Sequence, residues 1–236
     1  GALLAGATLV VKRVRGLRRA ALAPTIPTAK GKAVLIDCGA NAECTVEYLL
    51  QFAYLGSYYA QKVLGVENPR VGLLNIGAEE SKGDTLRRET YQRLKEAGEA
   101  GHLNFTGNIE AKEAMLGECD VIVADGYSGN IMLKSIEGTG KFLSIKLKEM
   151  LMHSAGTKLA ALLLKGQLGD FKKMLDANEV GGTALLGISK PVVKAHGSAS
   201  EVGFCNAVRQ AMEVARSGII GDIEQNIDKM RIEQKA

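Results

Sequence analysis

Val121-Ile-Val-Ala-Asp-Gly-Tyr-Ser-Gly-Asn130 sets an apolar, β-branched run directly before a turn rich in Gly, Asp and Ser, and an apolar helical pattern follows. This order predicts a buried strand that ends in a Gly-containing turn and feeds a helix. The pattern recurs on both sides of that stretch. Ala33 to Ile36 precedes Asp37-Cys-Gly-Ala-Asn41, and Val71 to Ile76 precedes Gly77-Ala-Glu-Glu-Ser-Lys-Gly-Asp84. Leu103 to Thr106 precedes Gly107-Asn108, and Val192 to Ala195 precedes His196-Gly-Ser-Ala-Ser200. Five such turns predict an α/β fold with a mostly parallel sheet and helices on both faces, whose ligands sit beyond the strand C-terminal ends.

Those ends collect small and amide residues. Small residues let the backbone approach a ligand, and the N–H groups that open a helix favour an anion such as phosphate. The candidate substrate and phosphate-binding residues are therefore Asp37, Gly39 and Asn41 in the first turn, Gly77 in the second, and Gly107 and Asn108 in the third. Asp125, Gly126 and Gly129 follow in the fourth, and Lys194, Gly197 and Ser198 at the fifth. Ordinary turn and cap roles explain any one of these turns equally well.

Three further residues are candidates for the chemistry. Lys82, in a loop at a strand end, could hold phosphate or a developing oxyanion as a point charge, although a solvated loop lysine is the commoner case. Asn130 closes its turn just before an apolar helical run, where an N-cap role and a ligand-donor role are equally consistent. His196 could orient a substrate or shuttle a proton, or be satisfied by neighbouring backbone.

Composition narrows the function classes. The 236 residues are 46% hydrophobic and 24% charged, the balance of a globular chain with a substantial core. The net charge of +4 lacks the basic excess expected of nucleic-acid binding, so no nucleic-acid partner is expected. Cys38, Cys44, Cys119 and Cys205 form no C-x-x-C pair, and His102, His153 and His196 form no H-x-x-x-H pair. Reduced thiols, a cytoplasmic setting and no metal site follow as expectations.

The small and apolar run Gly1 to Val11 precedes the basic cluster Lys12 to Arg19, the reverse of a signal peptide. It is also shorter than the roughly 20 apolar residues of a spanning helix. Gly138-Thr-Gly-Lys141 fails as a phosphate-binding P-loop, because Ser135 stands at the first glycine position and Phe142 at the Ser/Thr position.

From about Ser154 to Ala177 the rhythm changes. Leu159, Leu162 and Leu163, then Leu168, Phe171 and Leu175, recur at helical spacing around Gly166 and Gly169. A protruding hairpin of two short amphipathic helices is expected over 154–177, with Leu159, Leu162 and Leu163 as candidate membrane contacts beside Lys158 and Lys165. The whole of 1–236 reads as one α/β catalytic unit, with this hairpin as an insertion within it. The chain opens inside a helical pattern without an initiator methionine, so it is expected to be the C-terminal part of a longer one.

Six segments together carry a resemblance: Ala21-Leu-Ala-Pro-Thr-Ile-Pro-Thr28, Leu35-Ile-Asp-Cys-Gly-Ala-Asn41, Arg70-Val-Gly-Leu-Leu-Asn-Ile-Gly77, Thr106-Gly-Asn-Ile-Glu110, Asp125-Gly-Tyr-Ser-Gly-Asn130 and Val193-Lys-Ala-His-Gly-Ser198. In this order they resemble the PlsX family of acyl-[acyl-carrier-protein]:phosphate acyltransferases. The resemblance implies a fold like the isocitrate and isopropylmalate dehydrogenases and the phosphotransacetylases, a homodimer, and no cofactor. It implies acyl carrier protein and inorganic phosphate as partners, with acyl phosphate for phospholipid synthesis as product. Peripheral membrane association of a cytoplasmic enzyme fits that product. Lys82 and Asn130 match the family's proposed active-site lysine and asparagine, and the family's N-terminal Asp-Ala-Met-Gly-Gly-Asp segment has no counterpart. A short-chain acyl-CoA:phosphate acyltransferase and a non-catalytic membrane- or partner-binding fragment are the competing readings.

Overall fold

The computed structural model describes residues 1–175 and 181–232. A short N-terminal helix, α1 (Ala2–Gly6), runs into a π-helical turn (Ala7–Val11). There follow β1 (Ala21–Ala23), β2 (Thr25–Thr28), β3 (Gly31–Ile36), α2 (Val46–Lys62), β4 (Arg70–Leu74), α3 (Thr85–Glu99), β5 (Asn104–Ile109), α4 (Ala111–Met115) and β6 (Val121–Val123). The C-terminal half adds α5 (Gly126–Leu151), α6 (Ala155–Leu163), α7 (Lys165–Leu175), β7 (Gly182–Leu186), β8 (Val193–Ala195), α8 (Glu201–Arg216) and α9 (Ile219–Gln225).

The central sheet has the order β2-β3-β6-β4-β5. The β3–β6, β6–β4 and β4–β5 pairs are parallel, and β2 joins the edge antiparallel. Pro27 lies in that edge strand, where a missing N–H costs no interior ladder bond. Period-2 alternation gives the sheet two apolar faces. Val34, Ile36, Val71, Leu73, Val121 and Val123 pack with Leu49, Phe52, Leu55 and Tyr59 of α2 and Leu94 of α3. Ala33, Leu35, Ile109 and Ile122 pack on the other side with Ala114 of α4 and Met132 of α5. Each fully buried aliphatic side chain contributes about 1.5–3 kcal/mol, so the strands hold through burial on both faces.

Two of the expected βα turns are different. Gly107 and Asn108 belong to β5 itself, not to a turn after it. The β4–β5 register shifts between Val71 and Gly72, so that Thr106 is skipped in the register, its hydroxyl donating to the Val71 carbonyl at 3.1 Å, and Gly107 takes φ 101°, a bulge conformation open to glycine. Val193–Ala195 does not join the parallel sheet. It pairs antiparallel with β7 in a separate sheet of order β1-β7-β8. Local pattern cannot distinguish the two cases, because a three-residue strand does not announce its partner.

Beyond its first two turns, α5 has no buried residue. Its buried residues are Gly126, Gly129 and Met132, all near the start, and the Gly138–Lys141 stretch is ordinary helix. α6 begins with a capping box between Ser154 and Thr157, Leu164 alone separates it from α7, and neither helix has a buried residue. Asp176 and Ala177, the end of the expected hairpin, lie outside the described residues.

Candidate active site

The C-terminal ends of β3, β4 and β6 bring three loops together. After β3, Asp37 is fully buried and accepts from the backbone N–H groups of Leu22 (2.9 Å), Ala40 (3.1 Å) and Asn41 (2.7 Å) and from the Asn41 side chain (2.9 Å). Burial raises its pKa against the pull of those hydrogen bonds. Asn41 also donates to the Ala20 carbonyl at 2.8 Å. The Asp37–Asn41 turn therefore anchors the smaller sheet to the larger.

α5 packs directly on this turn. The Gly126 N–H donates to the Asn41 carbonyl at 2.8 Å, and a Cβ at Gly126 would sit 2.4 Å from that oxygen. A Cβ at Gly129 would sit 1.9 Å from the Asp37 carbonyl oxygen. Both glycines are thus required by close backbone approach, whatever ligand the site takes. Asp125, not Asn130, is the N-cap of α5, accepting from Ser128 N at 2.9 Å. Asn130 lies one turn further on with an exposed side chain, and an ideal Cβ at the exposed Gly39 would be 3.7 Å from the Asn130 Cβ.

The loop after β4 is held by two asparagines. Asn75 receives the Ile76 N–H at 2.8 Å and donates to the Lys82 carbonyl at 3.1 Å. Asn108 donates to the Glu79 carbonyl at 2.8 Å, while its Oδ1 is buried without a partner. Gly77 makes room for Lys82, whose Cγ would be 2.9 Å from a Cβ there. The Lys82 Nζ is 3.9 Å from Glu79, a loose pairing on an exposed loop.

Arg87 and Ser128 escaped the sequence reading. Arg87 donates to Asp84 at 2.6 Å, to Ser128 Oγ at 3.0 Å and to Asp125, so one guanidinium spans the N-caps of α3 and α5. Burial opposes ionisation of Asp84, but its bonds to Arg87 outweigh this and hold its pKa below the ordinary value. Two helix openings that read as anion nests therefore already carry the chain's own carboxylates. The signal for Arg87 was faint, an arginine three residues after a capping aspartate.

Two cavities flank α5 beyond these strand ends. The larger, about 880 Å³, has Asn75, Asp84, Arg87 and Ser128 at one end and Ile131, Met132, Ile136 and Leu143 along α5. The smaller, about 190 Å³, brings together Asn130, Lys194 and His196. They meet at Pro27, Ile136, Gly140 and Leu175. Lys82 lines neither, although the next residue, Gly83, lines the larger. His196 Nδ1 is 2.8 Å from Ser198 Oγ and accepts from Ser198 N at 3.2 Å, which leaves the proton of the neutral ring on Nε2. Gly197 and Ser198 are exposed in the same turn.

No protein thiol is set up as a nucleophile here. Burial pushes the Cys38 thiol strongly up and the Cys44 thiol to about 12. Among the described residues, no group of three or more His, Cys, Asp or Glu could hold a metal ion.

This fold is that of the phosphotransacetylases. The chain superposes on a phosphotransacetylase from Streptococcus pyogenes with a TM-score of 0.54 at 19% identity, covering 88% of this chain and 58% of that one. EutD phosphotransacetylase from Staphylococcus aureus gives 0.52 at 17% identity over the same shares. By sequence, the chain belongs to the fatty acid synthesis protein family, whose model matches residues 1–221. It is 44% identical over 228 residues to a phosphate acyltransferase of Thermoanaerobacterium thermosaccharolyticum, covering 97% of this chain and 67% of the relative. The phosphate acyltransferase of Geobacillus thermodenitrificans is 46% identical over 230 residues, with 97% and 69% covered.

Proposed function

We propose that this chain transfers a fatty acyl group from acyl carrier protein to inorganic phosphate, giving acyl phosphate for phospholipid synthesis. The observation that carries the reading is a long apolar cavity ending in polar side chains at the C-terminal ends of β4 and β6, in a member of this family. Phosphate is already an anionic nucleophile at neutral pH, and a thiolate leaves readily, its thiol having a pKa of about 8.5. A phosphate oxygen adds to the thioester carbonyl, the C–S bond breaks, and the departing thiolate takes a proton from water. The protein has to position the reactants and stabilise the tetrahedral oxyanion.

Lys82 and Asn130 are assigned to the oxyanion and the phosphate, and His196 to orienting substrate from the β8 end. Among the described residues no side-chain hydrogen bond holds the Lys82 ammonium, which is 3.9 Å from Glu79, or the exposed Asn130 amide, so both side chains are available to a ligand. The exposed Lys194 and the turns at Gly39 and Gly197 add charge and open backbone to the phosphate side. Gly77, Gly107 and Asn108 act by shaping the loop that carries Lys82.

The wider setting belongs to the same proposal: a cytoplasmic homodimer, kinship of fold with the isocitrate and isopropylmalate dehydrogenases, and peripheral membrane contact. No described helix is long and apolar enough to cross a membrane. Leu159, Leu162 and Leu163 are all exposed on α6, which suits an interfacial contact.

The test is acyl phosphate formation from acyl carrier protein and phosphate, trapped as hydroxamate. Long-chain acyl carrier protein should outpace short-chain acyl-CoA. Preference for short-chain acyl-CoA, or no product from either, would reject the reading.

A further inference from the structure

We infer that the larger cavity holds the acyl chain and that the face of α5 from Ser128 to Leu143 measures its length. The inference rests on the acyl-transfer reading and adds the place and limit of the lipid tail. Its volume of about 880 Å³ falls in the ordinary ligand-site range of roughly 300–1,000 Å³.

The hydrogen-bonded polar groups gather at one end, and Lys112 of α4 and the hydroxyls of Ser135 and Thr139 interrupt a lining that is otherwise mainly apolar. Asn75, Asp84, Arg87 and Ser128 are tied to one another or to backbone, so they form a fixed rim and not a second polar pocket. Gly83 lies in that rim next to Lys82, and the assignment of Lys82 to the oxyanion or the phosphate puts the reacting carbonyl nearest this end. The opposite wall is a stripe of α5 at helical spacing: Ile131, Met132, Ser135, Ile136, Thr139 and Leu143. From Ser128 to Leu143 a helix rises roughly 22 Å at about 1.5 Å per residue, comparable with an extended chain of about sixteen carbons. Leu175 of α7 lines the same cavity, which therefore opens toward the exposed apolar helices and away from the polar rim.

Ser135 and Thr139 are the informative positions. Both are exposed residues lining the cavity, so a large side chain there can fill it without displacing the core. We would make Ser135→Trp and Thr139→Trp in the full chain and measure two things. The first is binding of cis-parinaric acid, a fluorescent eighteen-carbon fatty acid, which requires no turnover. The second is kcat/KM for acyl carrier protein loaded with chains of four to eighteen carbons.

The wild type should bind the probe and gain roughly fourfold per added methylene until the cavity is full. Thr139→Trp should weaken probe binding at least tenfold and cut turnover of the longest chains at least thirtyfold, with the four-carbon donor within threefold of wild type. Ser135→Trp, one turn nearer the rim, should move the cutoff to shorter chains. Unchanged probe binding and an unchanged chain-length profile in both folded variants would overturn the inference, as would equal loss for all chain lengths. If the wild type makes no acyl phosphate but binds the probe, and the tryptophans abolish that binding, the lipid site stands and the acyl-transfer reading falls. A variant that fails to fold by circular dichroism is replaced by Thr139→Leu, with the same outcomes at smaller amplitude.

Discussion

The guanidinium of Arg87 meets the carboxylate of Asp125, and through this ion pair the opening of α3 is fastened to the opening of α5. Asp125 is buried and Arg87 mostly so, and Arg87 reaches Asp84 and Ser128 with the rest of its fork. Within the polar rim of the larger cavity, Asp84, Arg87 and Ser128 are consequently one connected unit.

Arg87→Ala should cost about 3 kcal/mol, because it leaves Asp125 buried without its counter-charge. Arg87→Lys should recover only part of this, since an ammonium cannot bridge both caps as a planar fork does. Urea unfolding of the three proteins checks the order, and equal stability of the lysine variant and wild type would refute the bridging role.

Gly129→Ala should destabilise by about 1–3 kcal/mol or more, since its Cβ would meet the Asp37 carbonyl at 1.9 Å and α5 would have to move. Gly138→Ala, where a Cβ meets nothing within 4 Å, should be neutral or slightly stabilising. Melting temperatures of the pair provide the comparison.

Lys82→Ala and Asn130→Ala should each lower trapped acyl phosphate by roughly a hundredfold, the usual scale for losing an oxyanion donor. Asp125 is the α5 cap, so Asn130→Ala has no cap to lose and should melt within about 0.5 kcal/mol of wild type. Full activity in both variants would remove these residues from the mechanism.

Leu162→Glu combined with Leu163→Glu should reduce co-sedimentation with anionic liposomes and leave the fold intact, because neither side chain is buried. Unchanged sedimentation would discard the membrane contact on α6.

Asp120 supplies a pH test. Burial disfavours its ionised form, but Arg70 outweighs this by donating from its backbone N–H (2.8 Å), Nε (3.0 Å) and a terminal nitrogen (3.0 Å), and the pKa falls below the ordinary carboxylate value. A depressed folded pKa means stability that is present above the unfolded value of about 3.9 and lost as pH falls through the folded one. Asp120→Asn should therefore cost about 2 kcal/mol at pH 7, and the gap from wild type should narrow below about pH 4. A constant gap from pH 7 to pH 3 would contradict the assignment.

The sequence by itself determined the elements whose signal is local. Val121–Val123 and Ala33–Ile36 are continuous apolar runs before Gly-bearing turns, which is what a strand buried on both faces of a parallel sheet requires. The helical periodicity around Leu159 and Phe171 likewise marked α6 and α7. Tertiary structure alone decided which strands pair. β8 looked like another parallel strand and instead pairs antiparallel with β7, a strand whose Gly-Thr-Ala-Leu-Leu sequence carries little β-branched signal. It also decided what the turn residues do. Asp37, Gly126 and Gly129 hold the β3 turn against α5, and Arg87 joins two caps 41 residues apart in the chain, Asp84 and Asp125. Burial, close backbone contact and ion pairing between distant segments are properties of the folded arrangement, and no periodicity along the chain encodes them.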